Sequence, residues 1–366
     1  MKVAFVGDPS GAGLEDLSAE LATVFRSAGH SIWDDVPEDV DLVINRTSLG
    51  AARPNYLRSN PSIFVTSLVE TPEGFTDETL VELKRRSYAA LVKTMSNLLV
   101  HRVGQGVEAV AHFMTPELGF RTRRDPATLA QGIADYVTPL AASKMVIANR
   151  LDEDLPEPLW AHGDDAARSL MAYGRRLDAL KLLPSPFDIR EILSERELRL
   201  MMKLFGLKQL SYGNLSARRD AASFWMSGRG VDKGRLEKIG SDLLLVKGYD
   251  ARTLTIELSV PPETDPSSRV SVDAIEHYKI YRALPGVGAI VHVHAWMEGI
   301  PATLQSWPCG TEQLADEVLS LVLAAEDPLR AVIGLKNHGL TITGPSLADI
   351  FERIEGRLSQ DVPALE

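Results

Sequence analysis

A single cysteine, Cys309, stands among 366 residues, so no disulfide can form within the chain. That fits a reducing compartment. Basic residues are also in short supply: 39 Lys and Arg face 50 Asp and Glu, for a net charge of −11. A surface for duplex nucleic acid needs many phosphate-neutralising cations, and this balance argues against one. No run approaches the roughly 18 apolar residues of a membrane span. The first residues, Met1 to Gly7, reach Asp8 and Pro9 too soon for a signal peptide. The expectation is a cytoplasmic protein with no membrane and no nucleic-acid partner.

What is present is ordinary globular material, 45% hydrophobic and 24% charged, and enough of it for two domains. An apolar strand at residues 3–7 enters a glycine-rich turn, Gly7 to Gly13. A helix follows, with Leu14, Leu17, Leu21, Val24 and Phe25 on one side. Residues 41–45 and 63–66 read as further strands, so this half is a small, mostly parallel α/β domain with added helices. Helical spacing runs over 77–101, 126–150 and 164–183, and the acidic, proline-broken stretch 152–158 reads as a loop. Pro184-Ser185-Pro186 suits no helix interior and predicts a domain boundary, giving domains 1–185 and 186–366.

The second half opens with a predicted helix over 189–205 and then becomes strand-rich. Strands are expected at 224–226, 243–246, 254–256, 287–294, 332–335 and 340–342, and helices at 272–283 and 347–358. These lengths predict an α/β layer on a mixed or antiparallel sheet.

The chemistry concentrates in Val291-His292-Val293-His294 and Lys336-Asn337-His338-Gly339. Alternate residues of a strand share a face, so His292 and His294 project together, about 7 Å apart along the backbone. A third histidine after another apolar strand can close the same site. Three neutral nitrogens with one open position describe a catalytic divalent-metal site, zinc by preference. The bland alternative for each histidine is a buried or exposed structural role, and His101, His112 and His162 are read that way. The turn Gly7–Gly13 lacks both the P-loop lysine and the Gly-x-Gly-x-x-Gly spacing, and is read as a tight strand-to-helix turn. Residues 121–124 are read as a solvated basic loop, and Cys309 as a packed residue.

Residues 188–358 resemble the class II aldolase/adducin family on several ordered matches. These are Gly213-Asn214-Leu215-Ser216, Met226-Ser227-Gly228-Arg229-Gly230, Ser271-Val272-Asp273, His292-Val293-His294, Gly310-Thr311-Glu312-Gln313-Leu314 and Asn337-His338-Gly339. The resemblance implies an α/β/α domain with a central mixed or antiparallel sheet. It implies His292, His294 and His338 as metal ligands, and Asp273 as general base or displaceable fourth ligand. Asn214, Arg229, Gly230 and Ser271 would hold a substrate anion, carboxylate or phosphate. The implied activity is a lyase that cleaves a small hydroxy-carbonyl compound, such as a sugar phosphate, through an enediolate. Epimerase or dehydratase chemistry at the same site, and a non-catalytic adducin-like interaction module, are the alternatives. The resemblance also implies a homo-oligomer, commonly a tetramer. Only fifteen residues separate His294 from Gly310. The segment that supplies the aldolases' proton-donating tyrosine is therefore missing, which leaves water, Glu298, His277 or a residue from the amino-terminal half as the acid. That half lies outside the resemblance, with capping, nucleotide binding, assembly or a second activity as its candidate roles.

Overall fold

A computed structural model describes residues 1–56, 63–72, 80–116, 120–123, 126–182, 193–196, 198–199, 202, 212–360 and 362–363. The chain divides into two compact units, one built mainly from Met1–Ser143 and the other from Lys144–Pro186 and Leu198–Pro363. The boundary expected at Pro184–Pro186 lies outside the described residues. The strand and helices between residues 148 and 179, assigned to the first domain on sequence, pack in the second unit.

The first unit holds β1 (Lys2–Val6), α1 (Ala12–Ser27), β2 (Ser31–Trp33), β3 (Leu42–Arg46), β4 (Phe64–Thr71), α2 (Leu80–Thr94), β5 (Leu98–Val103), β6 (Val110–Met114), β7 (Phe120–Arg123) and α3 (Leu129–Ala141). The sheet order is β2-β1-β3-β4-β5-β6-β7. The first five strands run parallel, β6 runs antiparallel to β5, and β7 runs antiparallel to β6. Leu14, Leu17, Leu21 and Phe25 of α1 are buried as their spacing requires, and Val24 is half-buried. The turn before α1 has a packing reason for its glycines. A Cβ on Gly11 would collide with the Glu70 carboxylate, and one on Gly13 with the Arg102 guanidinium. These two charged side chains lie 3.6 Å apart on the floor of a cleft of about 660 Å³.

Three sequence readings need correction. The helical run over 77–101 ends at Thr94. Met95 turns the chain with a left-handed φ of 56°, and the apolar residues after it form β5. A short apolar run fits either a buried strand or a helix, and only its partners decide. The run over 126–150 likewise splits into α3 and a strand, β8 (Ala148–Asp152), which pairs in parallel with a strand more than a hundred residues later. Residues 121–123 of the basic stretch belong to β7, at the edge of the first sheet.

The second unit continues after β8 with α4 (Glu157–His162), α5 (Asp165–Ala179), β9 (Asn214–Arg218), β10 (Phe224–Ser227), β11 (Leu243–Asp250), β12 (Thr255–Ser259), α6 (Ala274–Ala283), β13 (Ala289–Val293), α7 (Glu312–Ala324), β14 (Val332–Leu335), β15 (Gly339–Gly344) and α8 (Leu347–Ile354). Most of the helix expected over 189–205 lies outside the described residues. The eight strands run in the order β14-β15-β13-β9-β10-β11-β12-β8, all neighbours antiparallel except β12 and β8.

Strand alternation separates the two faces. Phe224 and Met226 of β10, Leu244 and Val246 of β11 and Ile290 of β13 pack against Ile275 and Ile280 of α6 and Leu314, Val318 and Val322 of α7. Trp225 points the other way, where its indole N–H donates to Asp164, the N-cap of α5, at 3.0 Å. Helices α5 and α8 cover that second face. Both units are mixed α/β, as expected, and among the described residues no helix is long and apolar enough to cross a membrane.

Candidate metal centre

His292 lies on β13 in the row that faces α6, with its side chain 2% exposed. His294 follows the end of the strand. His338 comes from the three-residue turn between β14 and β15, where Asn337 takes a left-handed φ of 58° and the His338 N–H donates to the Leu335 carbonyl at 3.0 Å. Because β15 pairs with β13, this turn lands beside the end of β13. Gly213 makes room for the adjacent strand: its φ is +72°, and a Cβ there would lie 2.6 Å from the His292 carbonyl oxygen.

The three imidazoles converge. One ring nitrogen from each lies within 4.8 Å of the others, and among the described residues they are the one such group of potential ligands. His294 Nε2 and His338 Nε2 are 3.2 Å apart. Two nitrogens on a tetrahedral zinc, each at 2.0–2.1 Å, would be separated by about 3.3 Å. His292 Nδ1 lies 3.0 Å from the Leu340 carbonyl oxygen, to which it can only donate, so Nε2 is left with its lone pair. Burial lowers the pKa of all three rings, well below the ordinary value for His294 and His338. For His292, Asp273 and the bond to Leu340 work against that shift. Neutral imidazoles with free lone pairs suit a divalent cation, and the donor set fits the group that the sequence implies.

Asp273 occupies the N-cap position of α6, but its side chain does not cap the helix. Its Oδ2 accepts from Asn214 Nδ2 at 2.6 Å, and its Oδ1 is buried without a partner among the described residues. Asn214 is thus engaged with Asp273 through Nδ2. Gly230 is left-handed at φ 65°, and the Ser271 N–H donates to the Ser227 carbonyl at 3.2 Å. Arg229, half-buried, has no acidic partner among the described residues, and burial lowers its pKa, partly offset by Cys309. Glu298 is exposed in the turn at 298–299. His277 is fully buried, with Nδ1 2.8 Å from Ser216 Oγ. Burial pushes its pKa down to about 3, so it carries no proton to give near neutral pH.

Several neighbours carried no recognisable signal in the sequence. Cys309, read as merely packed, places its Sγ 3.6 Å from His338 Nε2. The ring of Tyr212 lies against His294, 5.1 Å between centroids. Lys233, 4% exposed, is close enough to Asp273 to feel its charge; burial outweighs that attraction and lowers the ammonium to about 8. A lysine in a basic-looking loop gives no hint of burial until the chain is folded.

The lone thiol is a built-in reporter. Loading zinc should slow alkylation of Cys309 several-fold in the full chain, and His338→Ala should remove the protection. Equal alkylation rates with and without zinc would mean that no ion binds beside this thiol.

Residues 197–356 match the family described as Class II Aldolase and Adducin N-terminal domain. Methylthioribulose-1-phosphate dehydratase of Acidiphilium cryptum (strain JF-5) is 28% identical over 179 residues, covering 49% of this chain and 62% of that protein. The protein of the same name from Leptospira interrogans serogroup Icterohaemorrhagiae serovar Lai (strain 56601) is 36% identical over 86 residues, 22% of this chain and 31% of the relative. Among solved structures, an L-fuculose 1-phosphate aldolase matches with 16% identity and a TM-score of 0.34, covering 52% of this chain and 81% of that one. The chain spans less than two thirds of the length of these curated relatives.

Proposed function

We propose that the class II aldolase and adducin domain carried by residues 197–356 is a divalent-metal-dependent lyase that eliminates water from a small phosphorylated hydroxy-ketone. The observation that carries this reading is the convergence of three neutral histidines within 4.8 Å beside a buried, partly unpartnered Asp273. The dehydratase names of two relatives, and the missing tyrosine segment, favour water elimination over the aldol cleavage implied by the family resemblance.

His292, His294 and His338 would hold the ion, with zinc as the first candidate. When bound, it supplies Lewis-acid polarisation of the substrate carbonyl and its neighbouring hydroxyl. Asp273 is the base: it takes the proton from the carbon beside the carbonyl and returns it to the departing hydroxyl, which leaves as water. Asn214 holds Asp273 through Oδ2, so that Oδ1 is the oxygen left to work. Arg229, with Gly230 and Ser271, would hold the anionic end of the substrate, a guanidinium being suited to a bidentate grip on phosphate or carboxylate. Glu298, exposed, has no step in this reading. A homo-oligomer belongs to the same proposal, and light scattering on the full chain tests it.

The decisive experiment incubates the zinc-loaded full chain with a panel of ketose phosphates and identifies products by mass. Loss of one water supports the proposal. Two carbon fragments would make the protein an aldolase, and an isomer of unchanged mass an epimerase. No turnover and well under one zinc per chain would favour the non-catalytic module. On a productive substrate, Arg229→Met should raise KM roughly 10–100-fold with a smaller effect on kcat, because a charge-assisted contact to a distal anion acts mainly on binding. An unchanged KM would move the anion site elsewhere.

A further inference from the structure

Asp273 and Glu276 stand one helical turn apart at the start of α6, 4% and 1% exposed. Beneath them three strands present one row of side chains. Asn214 of β9 pairs with His292 of β13, and His292 with Thr341 of β15, so all three point to the same face. The two ends of this row grip the two carboxyl groups. Asn214 Nδ2 donates to Asp273 Oδ2, and Thr341 Oγ1 donates to Glu276 Oε1, each at 2.6 Å. His292 lies between them in the row. The remaining oxygens, Asp273 Oδ1 and Glu276 Oε2, are buried with no hydrogen-bond partner among the described residues.

Two ionised carboxylates this deep and this close would repel each other with little solvent to screen them, and one retained proton removes the conflict. The surroundings decide where it resides. The buried ammonium of Lys233 is influenced by Asp273 and by Asp232. Glu276 feels Asp273 and the Thr341 hydroxyl. Of its other neighbours, His277 on the same helix is bonded to Ser216, and Glu312 and Asp316 of α7 are taken up by Lys279.

We infer that Glu276 is a positioning residue for Asp273: a neutral carboxylic acid that keeps the pair at a single negative charge beside the three histidines. Burial first, and then the charge of Asp273, push the Glu276 carboxyl up to about 8, against the smaller opposing effect of the Thr341 bond. Near neutral pH the Glu276 carboxyl then keeps its proton, and Asp273 is fixed in direction by Asn214. Ionising Glu276 would place a second buried negative charge beside Asp273 and push the two groups apart. The catalytic consequence rests on the proposed role of Asp273 as base; the charge state of Glu276 does not.

Infrared spectroscopy of the metal-free full chain tests the charge state directly. At pH 7 the other carboxyl groups are largely ionised, so a protonated-carboxyl carbonyl band should be visible. It should fade as pH rises through about 8 and be missing from Glu276→Gln. In Asp273→Asn the band should fade at a lower pH, by roughly one unit or more, because the neighbouring charge is gone. Stability should follow: the folded carboxyl titrates above the ordinary 4.5, so wild-type stability is full below that value and declines as pH climbs towards about 8. Glu276→Gln should lack this part of the decline.

A wild type with no such band at pH 7, or a band that persists in Glu276→Gln, would overturn the inference. So would an Asp273→Asn titration identical to wild type. Should Glu276→Gln not fold, the wild-type and Asp273→Asn titrations still decide. On a turned-over substrate, the alkaline limb of the kcat–pH profile should differ between wild type and Glu276→Gln, with KM unmoved. A protein that turns over nothing yet shows the band refutes the proposed reaction alone; turnover without the band refutes the role of Glu276 alone.

Discussion

His338→Ala should leave the purified full chain with essentially no bound zinc after loading and dialysis, where the unmodified protein binds one ion per chain. The same is expected of His292→Ala and His294→Ala. Each histidine is one of three neutral donors, and a site that keeps two nitrogens has neither the affinity nor the geometry of the original. Activity on any substrate should fall by about a thousandfold or more, since several kcal/mol of carbonyl polarisation leave with the ion. Elemental analysis reads the first effect and steady-state rates the second. Full zinc occupancy in any of the three variants would remove that residue from the site. His338→Ala is the cleanest of them for stability, because His338 lies in a turn whereas His292 sits within the packed strand β13.

The second large effect separates metal from base. Asp273→Asn should retain the ion yet lose about 10²- to 10⁴-fold in kcat, the range for removing a general base. The substitution is nearly isosteric, and the new amide oxygen can still accept the bond from Asn214 Nδ2. Asp273→Ala is a poorer probe. It leaves Asn214 buried with an unpaired donor, at a cost of about 1–3 kcal/mol of stability, and so mixes folding with chemistry. Zinc content and kcat measured on the same preparation of Asp273→Asn decide the matter. If kcat stays within a few-fold of the unmodified protein, Asp273 is not the base and the nearby Lys233 becomes the group to examine.

Much of the three-histidine cluster was readable before folding because strand periodicity is local. His292 and His294 share a parity, and a histidine just after an apolar run is a turn residue whatever surrounds it. The neighbours of that centre were not readable. Glu276 looks like any first-turn glutamate of an amphipathic helix, and Thr341 like any strand threonine. Their 2.6 Å contact joins residues 65 positions apart. Cys309 has no motif, yet its sulfur touches His338. Asn214 was placed at the site by its motif but its bond to Asp273 was not foreseen, since sequence order cannot say which side chain a strand residue will meet across the layer.

The same division runs through the fold. Heavily patterned elements such as α1, β10, β11 and β15 could be placed from their own residues. Two helical runs were overextended into β5 and β8, because short apolar stretches fit either conformation until a partner strand supplies hydrogen bonds. Sequence alone determined which residues were able to bind a cation and on which kind of element each would lie. Only tertiary structure decided that three of them meet within 4.8 Å, and which buried carboxyl groups stand over them. Periodicity acts between neighbours along the chain, whereas charge, burial and coordination act across distances that the chain closes only when the sheet assembles.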